Sequence, residues 1–136
     1  METTMFGSLK KKPLVRKYYR LDGKLKCEYY CLNKKVHRTL GPAKICYRPD
    51  GSVERESYWL NGRLQRTDGP AVIYYRPDGS VRLEEYWLDD QQHRTDGPAV
   101  IRYCRDGSVE REEYWLNGRE IDYFRHTVLT DGLLVE

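Results

Sequence analysis

Apolar bulk is what this 136-residue chain has least of. Leu, Ile, Val and Phe are sparse, and Phe and Met occur twice each. The opening METTMFGSLKKKP and the rest of the chain hold no apolar run of the length needed for secretion or membrane insertion, so neither is expected. Apolar residues never recur at spacings of three and four, and Gly or Pro interrupts roughly every ten residues, which excludes a helical fold. There is no Gly-rich phosphate loop and no His-Glu zinc motif. Cysteines number four, Cys27, Cys31, Cys46 and Cys104, with no apolar leader before them. Free thiols in a reducing, cytoplasmic setting are the expectation.

Charge and tyrosine take the place of apolar bulk. Charged residues make up 33% of the chain, and 12 of its aromatic residues are Tyr against three Trp. Tyrosine has an apolar body and a polar tip, so it suits half-exposed positions. Such polarity is compatible with disorder, but regularly placed Tyr-Trp pairs and glycines point to a thin ordered structure of one domain's size. The net charge of +3 is unevenly spread. Residues 1–38 carry 11 Lys and Arg against three acids, and residues 39–136 carry 13 against 18.

The dominant feature is a repeat. TDGPAVIYYRPDGSVRLEEYWL, Thr67 to Leu88, returns as TDGPAVIRYCRDGSVEREEYWL, Thr95 to Leu116, identical at 17 of 22 positions and 28 residues later. Leu40 to Arg63 is a third copy, and Tyr18 to Thr39 a worn fourth. Asp22-Gly23, Asp50-Gly51, Asp78-Gly79 and Asp106-Gly107 fall in register, as do Tyr30, Tyr58, Tyr86 and Tyr114. The next column reads Cys31, Trp59, Trp87, Trp115.

Each unit reads as strands and turns. PAVIYYR is rich in β-branched and aromatic residues. Pro77-Asp78-Gly79 sets one φ by its proline and offers a positive φ at its glycine, so it predicts a hairpin turn. SVRLEEYWL returns as the partner strand. Asn61-Gly62 and Asn117-Gly118 are type I′ dipeptides. Alternation places Ala71, Ile73 and Tyr75 on one side of the first strand, with Val72 and Tyr74 on the other. In the return strand Val81, Leu83 and Trp87 oppose Glu84, Tyr86 and Leu88. Both faces mix apolar and charged groups, as a single layer requires. The predicted fold is all-β: an elongated, single-layer, twisted antiparallel meander of about four stacked hairpin repeats. Residues 1–12 read as a basic tail, 13–124 as the array and 125–136 as a C-terminal cap.

The recurring wording of Tyr-Trp, Asn-Gly and His/Gln-Arg-Thr-Asp-Gly-Pro-Ala resembles a variant MORN repeat over about residues 13 to 124. It is closest to the longer units of amoeba-infecting giant DNA viruses and bacterial MORN-like proteins. Departures from the usual form are the 28-residue unit, Cys31 and Lys34 in place of Trp and Gly, and Asp89-Asp90 in place of Asn-Gly. The resemblance implies stacked hairpins serving as a scaffold for protein–protein contact, with lipid binding proposed for some members.

Candidate sites divide into repeated and unrepeated residues. Tyr58, Trp59, Tyr86, Trp87, Tyr114 and Trp115 form an aromatic ladder, read as glue between units in preference to a ligand track. Arg38, Arg66 and Arg94 read as turn pins more than as anion claws. His37 and His93 share a column without clustered ligands, so no metal is expected. Ser52, Ser80 and Ser108 lack a matched His in each unit, and a repeat offers no unique catalytic constellation; no enzyme, cofactor or small-molecule substrate is expected. The unrepeated signal is the basic end: Lys10, Lys11, Lys12, Arg16, Lys17, Arg20, Lys24 and Lys26. It reads either as a cap deterring edge pairing or as a site for nucleic acid or an anionic membrane. Its charge is also complementary to the acidic body of a second copy, allowing head-to-tail association. The expected partner is a protein, in host cytoplasm or a virion if the chain is viral.

Overall fold

The computed structural model describes residues 11–131. Most of the expected basic tail, including Lys10, and the last five residues of the expected cap lie outside the described residues. The chain forms a meander whose strand order follows sequence order. Each unit contributes two long strands and one short hairpin. The long strands are β1 (Leu14–Tyr19), β2 (Leu25–Leu32), β4 (Lys44–Tyr47), β5 (Val53–Ser57), β8 (Val72–Tyr75), β9 (Val81–Glu85), β12 (Val100–Tyr103) and β13 (Val109–Leu116). They pair consecutively and antiparallel in one sheet. The short strands are β3 (Lys35–Val36), β6 (Trp59–Leu60), β7 (Arg63–Leu64), β10 (Trp87–Leu88), β11 (Gln91–Gln92) and β14 (Arg119–Ile121). A helix, α1 (Tyr123–Asp131), follows β14.

Turn chemistry explains the topology. In Arg-Pro-Asp-Gly-Ser the Gly51 N–H donates to the Arg48 carbonyl (2.9 Å) and the Arg48 N–H to the Ser52 carbonyl (2.8 Å). Gly51 has φ +88°, a conformation that favours glycine. Asp50 Oδ1 accepts from both the Ser52 amide (2.8 Å) and its hydroxyl (2.6 Å). Ser80 and Ser108 repeat this contact with Asp78 and Asp106. The second turn keeps its left-handed pair in every unit, at Asn33-Lys34, Asn61-Gly62, Asp89-Asp90 and Asn117-Gly118. Losing glycine at Lys34 and Asp90 therefore leaves the type I′ shape in place.

Register separates two faces, because cross-strand partners share a side. On one face a row runs Cys27, Cys46, Arg55, Tyr74, Leu83, Arg102, Arg111. On the other the row is Glu28, Ile45, Glu56, Ile73, Glu84, Ile101, Glu112. The core is thin: Leu64, Ala71 and Val72 are buried and packed against Trp59, Tyr74 and Trp87. Ala43, Ala71 and Ala99 are fully buried. Each donates its N–H to one neighbouring strand and accepts on its carbonyl from another (2.7–2.8 Å). The alanine of Gly-Pro-Ala thus sits in the seam between units, with no exposed surface left for a larger side chain.

Two expectations are corrected. Cys27 and Cys46 are joined by a disulfide, while Cys31 and Cys104 are free. The physical reason is register: the two residues stand directly opposite on β2 and β4, 4.1 Å apart at Cα, with side chains on one face. The same junction is occupied by Arg55 opposite Tyr74 one unit on, and by Leu83 opposite Arg102 in the next. The second correction is α1, a helix in a segment the sequence gives no helical spacing. It is held by its N-terminal cap and by one buried side chain. Asp122 caps it by accepting from the Arg125 amide (2.8 Å), and His126 is buried.

Candidate interaction surface

The repeated polar residues form three ladders that tie each unit to the next. In the first, Arg38, Arg66 and Arg94 lie over the rings of Tyr30, Tyr58 and Tyr86 at 3.8, 3.9 and 4.0 Å. Each donates from Nη1 to the carbonyl of Pro42, Pro70 or Pro98 (3.1 Å). Arg66 and Arg94 also donate Nε to Asp68 and Asp96 at 2.9 and 2.8 Å, which holds both carboxyls below their ordinary pKa. In the fourth unit the position one period after Arg94 is Asp122, and the Tyr114 ring is met by His126 (5.0 Å) and Tyr123 (5.3 Å). His126 Nε2 also bonds the Arg94 carbonyl (2.6 Å). The helix therefore supplies the contact that an arginine at position 122 would have made.

A second ladder was invisible as a ladder in the sequence. Arg20 donates to the Tyr47 carbonyl (2.7 Å), Arg48 to that of Tyr75, and Arg76 to that of Tyr103 (2.5 Å). Arg48 and Arg76 also bond the carbonyls of Val53 and Val81 within their own turns (2.9 Å). Each arginine reaches a strand residue 27 positions on; from Cys104, which holds the next place in the column, that position is Asp131 in α1. The signal that would have found it is the loss of the residue in the terminal copy alone. The third ladder joins the hydroxyls of Tyr47, Tyr75 and Tyr103 to Glu28, Glu56 and Glu84, the last two at 3.1 and 3.2 Å. Burial first, and the glutamate partners with it, push all three phenols up to about 12.

The Trp and His columns are likewise consumed by the frame. Trp59, Trp87 and Trp115 donate Nε1 to Ser57 (2.8 Å), Glu85 (3.1 Å) and Glu113 (3.3 Å). His37, Gln65 and His93 accept from the turn amides of Asn61, Asp89 and Asn117 at 2.9, 3.3 and 3.0 Å. A cleft opens between the Arg66–Asp68 and Arg94–Asp96 loops, walled by these bonded side chains with Tyr86 and His93, and by Thr67, Thr95 and Leu88. Among the described residues no three of His, Cys, Asp and Glu converge as metal ligands. Among them, too, no helix is long and apolar enough to cross a membrane.

The basic end is not gathered on one face. Arg16 stands opposite Tyr29 and Lys17 opposite Glu28, so the two side chains point to opposite sides of β1. Arg20 is engaged with Tyr47, while Lys11, Lys12, Lys24 and Lys26 are exposed. Every residue of β1 is exposed.

What the structure does gather is the set of positions that differ between the two closest repeats. Arg82, Arg102 and Arg105 are exposed and line one shallow depression with Arg76 and Glu110. Arg55 and Arg82 flank the Tyr74 ring at 5.2 and 5.5 Å. Arg111, beside Arg102 in the row, pairs with Glu113 (3.1 Å). The Arg55 Nε is buried without a hydrogen-bond partner among the described residues.

The fold and its ladders define a protein of stacked antiparallel β-hairpin units. Comparison with family models, curated proteins and solved structures gives no match.

Proposed function

We infer that the chain is a non-enzymatic structural or adaptor protein, a MORN-like hairpin array that presents a sheet face to a protein partner. One observation carries this reading: the recurring Arg, Tyr, Trp, His, Ser and Asp side chains are spent on contacts within and between units. That leaves the unrepeated letters to confer specificity. Residence in a cytoplasm, or in a virion for a viral chain, belongs to the same proposal. In a reducing cytoplasm Cys27 and Cys46 would face each other as thiols, so counting thiols in freshly lysed source cells tests that part. The adaptor role is tested by purifying the tagged chain from its native source. A partner retained at high salt and after Lys10, Lys11 and Lys12 are changed to Ala supports it; recovery of the bare chain contradicts it.

The second reading is an anionic-lipid or nucleic-acid module using the basic end, favoured by the full exposure of β1. It requires binding that weakens steeply with salt and disappears in the triple-lysine variant. No binding of anionic vesicles or short oligonucleotides at low salt rules it out.

A further inference from the structure

We propose that the arginine-bearing face built by the differing positions of the units Thr67–Leu88 and Thr95–Leu116 docks an extended acidic polypeptide segment lying across the strands. This rests on the adaptor reading and names the surface and the partner's chemistry. All five differences between those units, Tyr74 to Arg102, Arg76 to Cys104, Pro77 to Arg105, Arg82 to Glu110 and Leu83 to Arg111, involve this patch or its rim. Arg82, Arg102 and Arg105 form no ion pair with another described residue. They therefore stand apart from the arginines of the ladders, whose forks are filled by carbonyls. An exposed guanidinium with an open fork suits a carboxylate or phosphate oxygen pair.

Spacing and sign select the carboxylates of a polypeptide. Arg55 and Arg102 lie three strands apart along the row, about 14 Å at ordinary strand spacing. An extended chain covers that span in about four residues, and residues four apart point to the same side. Arg111 lies on the next strand. Positive charge is interrupted by Glu110 at the rim and by the Arg111–Glu113 pair. A continuous polyphosphate or anionic bilayer would meet those acids, whereas a segment with separated acidic residues avoids them. The Tyr74 ring, flanked by two guanidinium groups, is poorly placed to stack a nucleobase. A second copy fits less well, since its glutamate row repeats every second strand and not at the Arg55–Arg102 interval.

The test uses the full chain and a fluorescein-labelled peptide of about ten residues with Glu at alternate positions, long enough to cross the row. Its all-Gln counterpart, a thymidine oligonucleotide and anionic phosphatidylserine vesicles are the comparison probes. The Glu peptide should bind at low salt and the Gln peptide should not. Arg82→Glu with Arg102→Glu should weaken binding at least tenfold while the melting temperature holds, since both side chains are exposed. Lys11→Ala with Lys12→Ala should leave peptide binding unchanged. No peptide binding at low salt, or full binding by the double glutamate variant, overturns the proposal. So does tighter binding of oligonucleotide or vesicles than of peptide, or concentration-dependent self-association abolished by the same variant. A native partner retained by that variant would leave the adaptor reading standing and remove this face from it.

Discussion

Arg76 and Cys104 hold the same place in successive units, yet their environments differ in kind. Arg76 bonds two carbonyls, one in its own turn and one on the following unit, whereas the position 27 residues after Cys104 lies in α1 and offers no strand carbonyl. Hydrogen bonds to a charged group in a half-buried setting contribute about 2 kcal/mol. Arg76→Ala should therefore lower stability by about that much, a fall of several degrees in melting temperature. Cys104→Ala should stay within about 0.5 kcal/mol of the parent. Urea unfolding of both variants reads the difference, and equal losses would contradict the ladder. In the sequence this substitution is one of five differences between Thr67–Leu88 and Thr95–Leu116. In the structure it is the end of an array.

At the scale of elements, the junctions between units decide what was legible. Hairpins, turn types and the single layer followed from Asp-Gly, Asn-Gly and alternation, because these signals act over a few residues. The faces of the return strand followed only in part, since a bulge pairs Tyr75 with Val81 and puts Val81 on the side opposite Leu83. The disulfide depended on the register of β2 against β4, which no local signal sets, and a Cys pair 19 residues apart has no repeat counterpart to reveal it. Closing a loop of that size stabilises by about 3 kcal/mol in the chain-entropy view. Changing Cys27 and Cys46 together to Ala should lower the urea midpoint accordingly, and reduction of the parent should bring it to the same value. A parent unaffected by reductant would contradict a structural bridge at that junction. The helix was missed because its nine residues lack an apolar stripe; His126 docking on Tyr114 and Arg94 holds it, a contact across 32 residues. The variable arginine patch was only half legible. The differing positions could be read from the sequence, but their convergence with Arg55 around Tyr74 needed the pairing of β5 with β8.

For the whole molecule, stability should have an acid edge and an alkaline edge. Hydrogen bonds from Ser52, Ser80 and Ser108 hold Asp50, Asp78 and Asp106 below the ordinary carboxyl range, and Arg66 and Arg94 do the same for Asp68 and Asp96. That contribution is complete above the ordinary range and is lost as pH falls through the lower folded values. Tyr47, Tyr75 and Tyr103 are shifted the other way, from 10.0 to about 12. Their contribution is complete below pH 10 and is lost as pH rises towards 12. Burial also raises Tyr86 and Tyr114, and phenolate absorbance should show a late-titrating group that includes Tyr47, Tyr75 and Tyr103, with the fold loosening as they ionise. A single transition near 10 with the sheet intact would contradict their burial against glutamate.

The fixed letters of the 28-residue unit are a frame, so that a unit is a separable piece of the molecule. Deleting residues 67–94 joins Arg66 to Thr95 and removes one full period, leaving the Arg-Thr-Asp-Gly-Pro wording and both chain ends intact. Deleting residues 81–94 alone removes half a period and sets the ladders out of step. Thermal unfolding followed by far-UV circular dichroism compares the two. The full deletion should leave a β-rich, cooperatively melting protein of lower melting temperature, and the half deletion an unfolded chain. A full-period deletion as unfolded as the half-period one would contradict that frame.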